Sequence, residues 1–251
     1  MELINYIIQA FRDAALFLFV GILPWIAVAF IIQLLSNSIR KSLAKVLGIR
    51  SYIYLTSPGV MIHELGHAFF CLVFGHKIVE MKLFSPEENG TLGYVSHTYN
   101  PRNFYQRIGN FFIGTGPIWF GIATLSLISH LLLPAGGEPE NNSLMTNFFS
   151  IFFSFDFWGR WQSYLWLYLM LTIASHITLS PPDLSGSFDG GLIILLTVII
   201  AYLLFGWNEK WKILSIEFCK NLFFSLAGLF AFLIIILLVF SIFCRLISRG
   251  K

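Results

Sequence analysis

What most limits the folding of this chain is a succession of long stretches without one charged side chain. Ala14 to Ile39 carries none, and a helix of that length is enough to cross the roughly 30 Å hydrocarbon core of a bilayer. Further apolar runs cover 51–76, interrupted only by Glu64, then 108–137, 161–182, 190–208 and 221–244. Only 12% of the 251 residues are charged, against about a quarter in a water-soluble domain. A soluble globular fold is thereby excluded. Abundant aromatic residues and the lack of a short period also exclude disordered, collagen-like and coiled-coil chains. The expected fold is an all-α polytopic membrane protein of about five to seven transmembrane helices. The aromatic stretch Leu144 to Phe157 is too brief for a confident span and is read as a tilted, interfacial or re-entrant segment.

The chain is read as one integral membrane domain, 1–251, with a core at 51–206 and flanking helices at 1–50 and 207–251. The first apolar run is too long, and its N-terminal flank too poor in positive charge, for a cleaved signal peptide. Between the second and third runs the pattern changes. Val79, Met81 and Leu83 alternate with polar residues, and Glu87-Glu88-Asn89-Gly90 separates them from Leu92, Tyr94 and Val95. Asn-Gly between two such stretches predicts a small β-hairpin at the membrane surface. Glu138-Pro139-Glu140 reads as a solvated loop.

Sixteen basic residues against 13 acidic ones are scattered and end-weighted, so no nucleic-acid partner is expected. Arg40, Lys41, Lys45 and Arg50 follow the first span with no acidic residue among them, and Arg245, Arg249 and Lys251 close the chain. The positive-inside rule puts both segments in the cytoplasm, the membrane being a bacterial-type plasma membrane. The three cysteines, Cys71, Cys219 and Cys244, lack metal-site spacing and are read as small packed hydrophobes.

Ionisable groups within a span cost at least a few kcal/mol each and are functional by default. The second run contains His63-Glu64-Leu65-Gly66-His67. Two histidines four apart share one helical face and can bind one tetrahedral zinc, with the intervening Glu facing the metal-bound water as general base. Chance alone yields such a motif in roughly half a per cent of shuffled chains of this composition. Its place within an apolar span favours a metal site over a hydrogen-bonded His/Glu cluster.

His63-Glu64-Leu65-Gly66-His67-Ala68 in a membrane helix, followed by the β segment Lys77 to Phe84, resembles the site-2 protease type of intramembrane zinc metalloprotease. Gly114-Thr115-Gly116-Pro117 is similar to the small-residue Gly-Pro helix of that family, and the likeness covers roughly 51–200. The resemblance implies zinc-dependent hydrolysis of a peptide bond in or beside the membrane. It also implies one Zn2+ per chain and a membrane-protein or peptide substrate. The third metal ligand is implied to be an Asp near prolines on a later span. Asp183, directly after Pro181-Pro182, is preferred because the prolines would start a helix and hold its carboxylate at the mouth; Asp189, in Asp-Gly-Gly, is the alternative.

His176 reads either as a satisfied polar residue near a helix end or as support for the site. His76, His97 and His130 have no partner at ligand spacing and are taken as structural or interfacial. Asn110 is expected to pack rather than act. The competing functional class is a membrane protein that binds zinc without catalysis, as a sensor, carrier or chaperone-like partner. It would tolerate loss of Glu64.

Overall fold

The computed structural model describes residues 2–87, 90–133, 151–205 and 208–250. The fold is all-α with one small hairpin. In chain order the elements are α1 (Glu2–Leu47), α2 (Ile49–Leu55), α3 (Ser57–Val73), β1 (Lys77–Lys82), β2 (Tyr94–Thr98), α4 (Phe104–Leu132), α5 (Phe155–Trp158), α6 (Trp161–Ala174), α7 (Pro181–Phe205) and α8 (Glu209–Arg249). The acidic stretch 138–140 and most of the aromatic stretch that starts at Leu144 lie outside the described residues. The described end of that stretch forms the single turn α5, capped by Ser154, and the chain breaks at Gly159-Arg160 before α6.

Four helices among the described residues, α1, α4, α7 and α8, are long and apolar enough to cross a membrane. The helices α3 and α6 are shorter, at 17 and 14 residues. Both pack inside the molecule, α3 against α4 and α6, and α4 in turn against α7. Helix α8 runs parallel beside α1. Ser38 Oγ accepts from Ser241 Oγ and from Arg245 Nε, and Lys45 Nζ donates to the Ser248 carbonyl at 2.7 Å. The basic segment after the first span and the C-terminal basic residues therefore share one end of this pair. Ile32, Leu125, Trp166, Met170 and Leu233 lie in the apolar core between these helices.

The zinc-motif helix is delimited by local chemistry. Gly48, at φ 84°, separates α1 from α2 in a conformation other residues avoid. Pro58 sits in the first turn of α3, where a missing N–H costs nothing. At the other end Gly75, at φ 68°, turns the chain out. His76 N donates to Cys71 O and Gly75 N to Leu72 O, the two bonds of a Schellman cap. The chain is thereby aimed straight into β1. The strands pair antiparallel, Lys77 opposite Thr98 and Lys82 opposite Tyr94, with a register shift between Ile78 and Glu80. Beyond the strands the ladder continues from Ser85 N to Leu92 O and from Glu87 N to Thr91 O. Gly90 N closes the turn onto Glu87 O, where the Asn-Gly signal expects it.

Close approach of α3, α4 and α7 depends on small residues. A Cβ at Gly66 would stand 2.9 Å from the backbone of Gly116, and one at Gly114 would stand 2.5 Å from the Asp183 carbonyl oxygen. Both lie far inside ordinary contact, so the backbones touch directly there.

Candidate metal centre

The two histidines of α3 and the aspartate at the start of α7 meet. His67 Nε2 lies 3.2 Å from His63 Nε2 and 3.2 Å from Asp183 Oδ1, and His63 Nε2 lies 3.6 Å from Asp183 Oδ2. The three form a group that can hold a metal ion. The alternative ligand, Asp189, is two turns farther along α7 and is held by Arg107, Nε to Oδ2 at 3.0 Å and NH2 to Oδ1 at 2.6 Å. Of the two carboxylates, Asp183 is the one that lies beside the histidines.

The protonation of each ring follows from its other nitrogen. His63 Nδ1 faces the His176 carbonyl oxygen at 2.9 Å, and His67 Nδ1 faces that of Ile113 at 2.8 Å. A carbonyl oxygen only accepts, so each Nδ1 carries the proton and donates. In neutral imidazoles both Nε2 atoms are then bare, and two lone pairs face each other across 3.2 Å. A cation between them, a metal ion or an added proton shared with Asp183, makes that arrangement favourable. Backbone acceptors behind ligating histidines are the usual means of orienting them.

Both acceptors are free for a sequence reason. In a helix the carbonyl of residue 113 should receive the N–H of residue 117, but that residue is Pro117 and has none. Ile113 O is thereby released inside α4 and turned to His67. His176 lies in the irregular link between α6 and α7, where Pro181 and Pro182 follow. It supports the site through its backbone. Its ring turns aside, Nδ1 donating to Thr172 O at 2.9 Å.

Asp183 is fixed by a reciprocal cap at the start of α7. Ser180 N and Oγ both donate to Asp183 Oδ2, at 2.7 and 2.6 Å, while Asp183 N donates back to Ser180 Oγ at 3.3 Å. This is a capping box with the prolines in the first turn. It engages Oδ2, which also faces His63 Nε2 at 3.6 Å, and leaves Oδ1 aimed at His67 Nε2, 3.2 Å away. Glu64 is 8% exposed and has no hydrogen-bond partner among the described residues. It sits under the hairpin, where a Cβ at Gly93 would stand 2.9 Å from Glu64 Cγ.

The centre opens into a cleft of about 1110 Å3, lined also by Gly90 to Val95 of the hairpin, Asn110 and the link at 178–182. Asn110 is buried at its wall. Two features escape a reading of the motif alone. Helix α1, assigned by sequence to a flanking region, lines the cleft with Gln33, Ser36, Asn37 and Arg40. Their spacing of three, four and seven marks one helical face and was the signal available. His76 and His97, which lack a partner at ligand spacing in the sequence and are read as structural or interfacial, pair with each other. Their Nδ1 atoms are 3.0 Å apart, and His76 Nε2 donates to Gln106 O at 2.8 Å. His130 is exposed in the last turn of α4. All three cysteines are free, Cys71 and Cys244 buried. No family model matches this sequence, and no match was found among the curated proteins or the solved structures.

Proposed function

We propose that this protein is a membrane-embedded zinc metalloprotease that hydrolyses peptide bonds in or beside the bilayer. The observation that carries the reading is the convergence of two bare imidazole nitrogens and the Asp183 carboxylate beside Glu64, a buried carboxylate with no hydrogen-bond partner among the described residues. Ligands about 2.0–2.1 Å from a tetrahedral zinc stand about 3.3 Å from one another. Here the two nitrogens are 3.2 Å apart and His67 Nε2 is 3.2 Å from Asp183 Oδ1, while His63 Nε2 is 3.6 Å from the other oxygen, Oδ2. The donor set, two neutral nitrogens and one carboxylate with a position left over, is that of a catalytic rather than a structural zinc.

His63, His67 and Asp183 would hold the ion, which when bound supplies a Lewis acid that polarises a carbonyl and acidifies water. Glu64 takes the proton from the attacking water and passes it to the departing amine, so one carboxylate acts first as base and then as acid. The reciprocal cap with Ser180 keeps the Asp183 carboxylate oriented through the cycle. The return segment of the hairpin, Gly90 to Val95, walls the cleft and offers an extended backbone against which a substrate strand can lie. The overhang of the same segment shelters Glu64 from bulk water.

The test is proteolysis by the purified full-length chain in detergent, using a mixture of apolar peptides and mass spectrometry of new termini. Zinc-dependent cleavage by wild type, reduced by roughly 10²–10⁴ in Glu64→Gln with zinc content unchanged, is the expected outcome. Cleavage that persists in Glu64→Gln would overturn the role of Glu64. A wild type that holds zinc yet cleaves none of the mixture would favour the non-catalytic zinc-binding class.

A further inference from the structure

The face that α1 turns toward the cleft is chemically out of place in its helix. Gln33, Ser36, Asn37 and Arg40 line the cleft, and the first three belong to the charge-free run that ends at Ile39. Polar groups in a span are tolerated where they face a cavity or a ligand. Among the described residues Gln33, Asn37 and Arg40 have no hydrogen-bond or ion-pair partner. The Ser36 hydroxyl is buried and also without a partner. Its neighbours on the next turn show what a satisfied polar group looks like there, since Ser38 is bound to both Ser241 and Arg245 of α8. The cleft face of α1 is thus a row of donors and acceptors that the protein itself leaves open.

Charge decides what the row is suited to. Arg40 is the one lysine or arginine among the described residues lining the cleft, whereas Glu64, Asp183 and Asp189 are its acids. Asp189 is already paired with Arg107, and Asp183 and Glu64 belong to the metal centre. Arg40 is therefore the one lysine or arginine without an ion-pair partner among the described residues of the cleft. Its planar fork matches a carboxylate better than any other partner a polypeptide offers. From Gln33 to Arg40 the helix rises about 10 Å, the length of about three extended residues. Amide side chains at that spacing can give and take hydrogen bonds with a peptide backbone.

We infer that the cleft face of α1, ending in Arg40, is a substrate-recognition subsite for a polypeptide segment that carries a carboxylate. The inference rests on the proteolytic reading of the same cleft and names its substrate class. The carboxylate can belong to an Asp or Glu side chain or to a chain terminus. Asn37 and Gln33 would hold the backbone beside it.

The experiment measures binding, so it does not require turnover. Fluorescein-labelled apolar peptides of one sequence carry either Gln or Glu at a central position, and either an amide or a free acid at the C-terminus. Anisotropy titration uses the full-length chain with Glu64→Gln, so that the probe survives. At least one acidic probe should bind about tenfold more tightly than the neutral amide, equivalent to about 1.4 kcal/mol. The acid that gains identifies side-chain or terminal recognition. Arg40→Gln should abolish the difference, and Arg40→Glu should shift preference to a matched Lys probe. Arg40 is exposed, so these variants keep the wild-type melting temperature. Equal affinity for all probes, or an acid preference that survives Arg40→Gln, would overturn the subsite. Neither result bears on zinc content or cleavage, so the metalloprotease reading stands or falls separately.

Discussion

Two histidine pairs lie at opposite ends of the same short stretch, and they are built for opposite purposes. His63 and His67 face each other nitrogen to nitrogen at 3.2 Å, and His76 and His97 do so at 3.0 Å. In the first pair both remaining nitrogens donate to backbone carbonyls, so neither facing nitrogen has a proton to share. In the second, only His76 is committed that way, to Gln106 O. His97 is then free to donate its Nδ1 proton to His76, and the contact is an ordinary hydrogen bond that needs no ion. Asp183 stands beside the first pair, whereas Tyr99 stacks on His76 in the second. Distance alone would equate the two. The tautomers forced by their surroundings separate them.

The largest expected effect breaks this comparison. His67→Ala should lose the metal outright, whereas His97→Ala should keep about one zinc per chain, as measured by elemental analysis of the purified proteins. Loss of zinc from both would make the second pair part of the centre. Next in size is Pro117→Ala, which gives residue 117 an N–H to compete for Ile113 O. Zinc affinity should fall roughly 10–100-fold, the usual range for removing a partner behind a ligand. The melting temperature should not fall, because alanine is favoured over proline inside a helix by about 3 kcal/mol. Unchanged affinity in a metal-buffered titration would show that the released carbonyl does not orient His67.

The second pair carries a smaller, pH-dependent effect. Burial, with His76 close by, holds His97 below its ordinary value of 6.5. Its neutral form is favoured in the fold. The associated stability is present above the ordinary value and is lost as pH falls below it, because the unfolded chain takes up the proton first. Hydrogen-exchange protection at the base of the hairpin, corrected for the intrinsic rate at each pH, should therefore fall from pH 7 to pH 5 in wild type. In His97→Phe that protection should already be low and nearly independent of pH. A wild-type profile with no pH dependence would contradict the assignment. The smallest effect is Arg107→Ala. The Arg107–Asp189 side chains are 40% and 42% exposed, and exposed pairs contribute about 0–1 kcal/mol. Zinc content should be unchanged and the melting temperature should drop by no more than a few degrees.

Much of this was legible in the sequence, for identifiable reasons. Charge-free runs located the long helices because lipid tolerates little else. They did not give the ends, since α1 continues to Leu47 and α8 to Arg249, where the two helices hold each other through Lys45 and Arg245. His63, Glu64 and His67 were legible because local spacing fixes a helical face. Asp183 was favoured by Ser180-Pro181-Pro182, whose capping chemistry is also local. What decided against Asp189 was not local at all, since Arg107 is 82 residues away. The pairing of His76 with His97 depended on hairpin register and on the shift between Ile78 and Glu80, which alternation alone does not specify. The place of α1 at the cleft was hidden because a charge-free run marks a span without showing which of its faces meets a cavity.

The central claim is that three ligands from two helices are poised around one ion, and two carboxylates on α7 test it most directly. Zinc should be measured per chain by elemental analysis in purified wild type, Asp183→Ala and Asp189→Ala after equal exposure to zinc at neutral pH. The account predicts about one zinc in wild type and in Asp189→Ala, and its loss in Asp183→Ala. A wild type without zinc, or retention in Asp183→Ala with loss in Asp189→Ala, would contradict it.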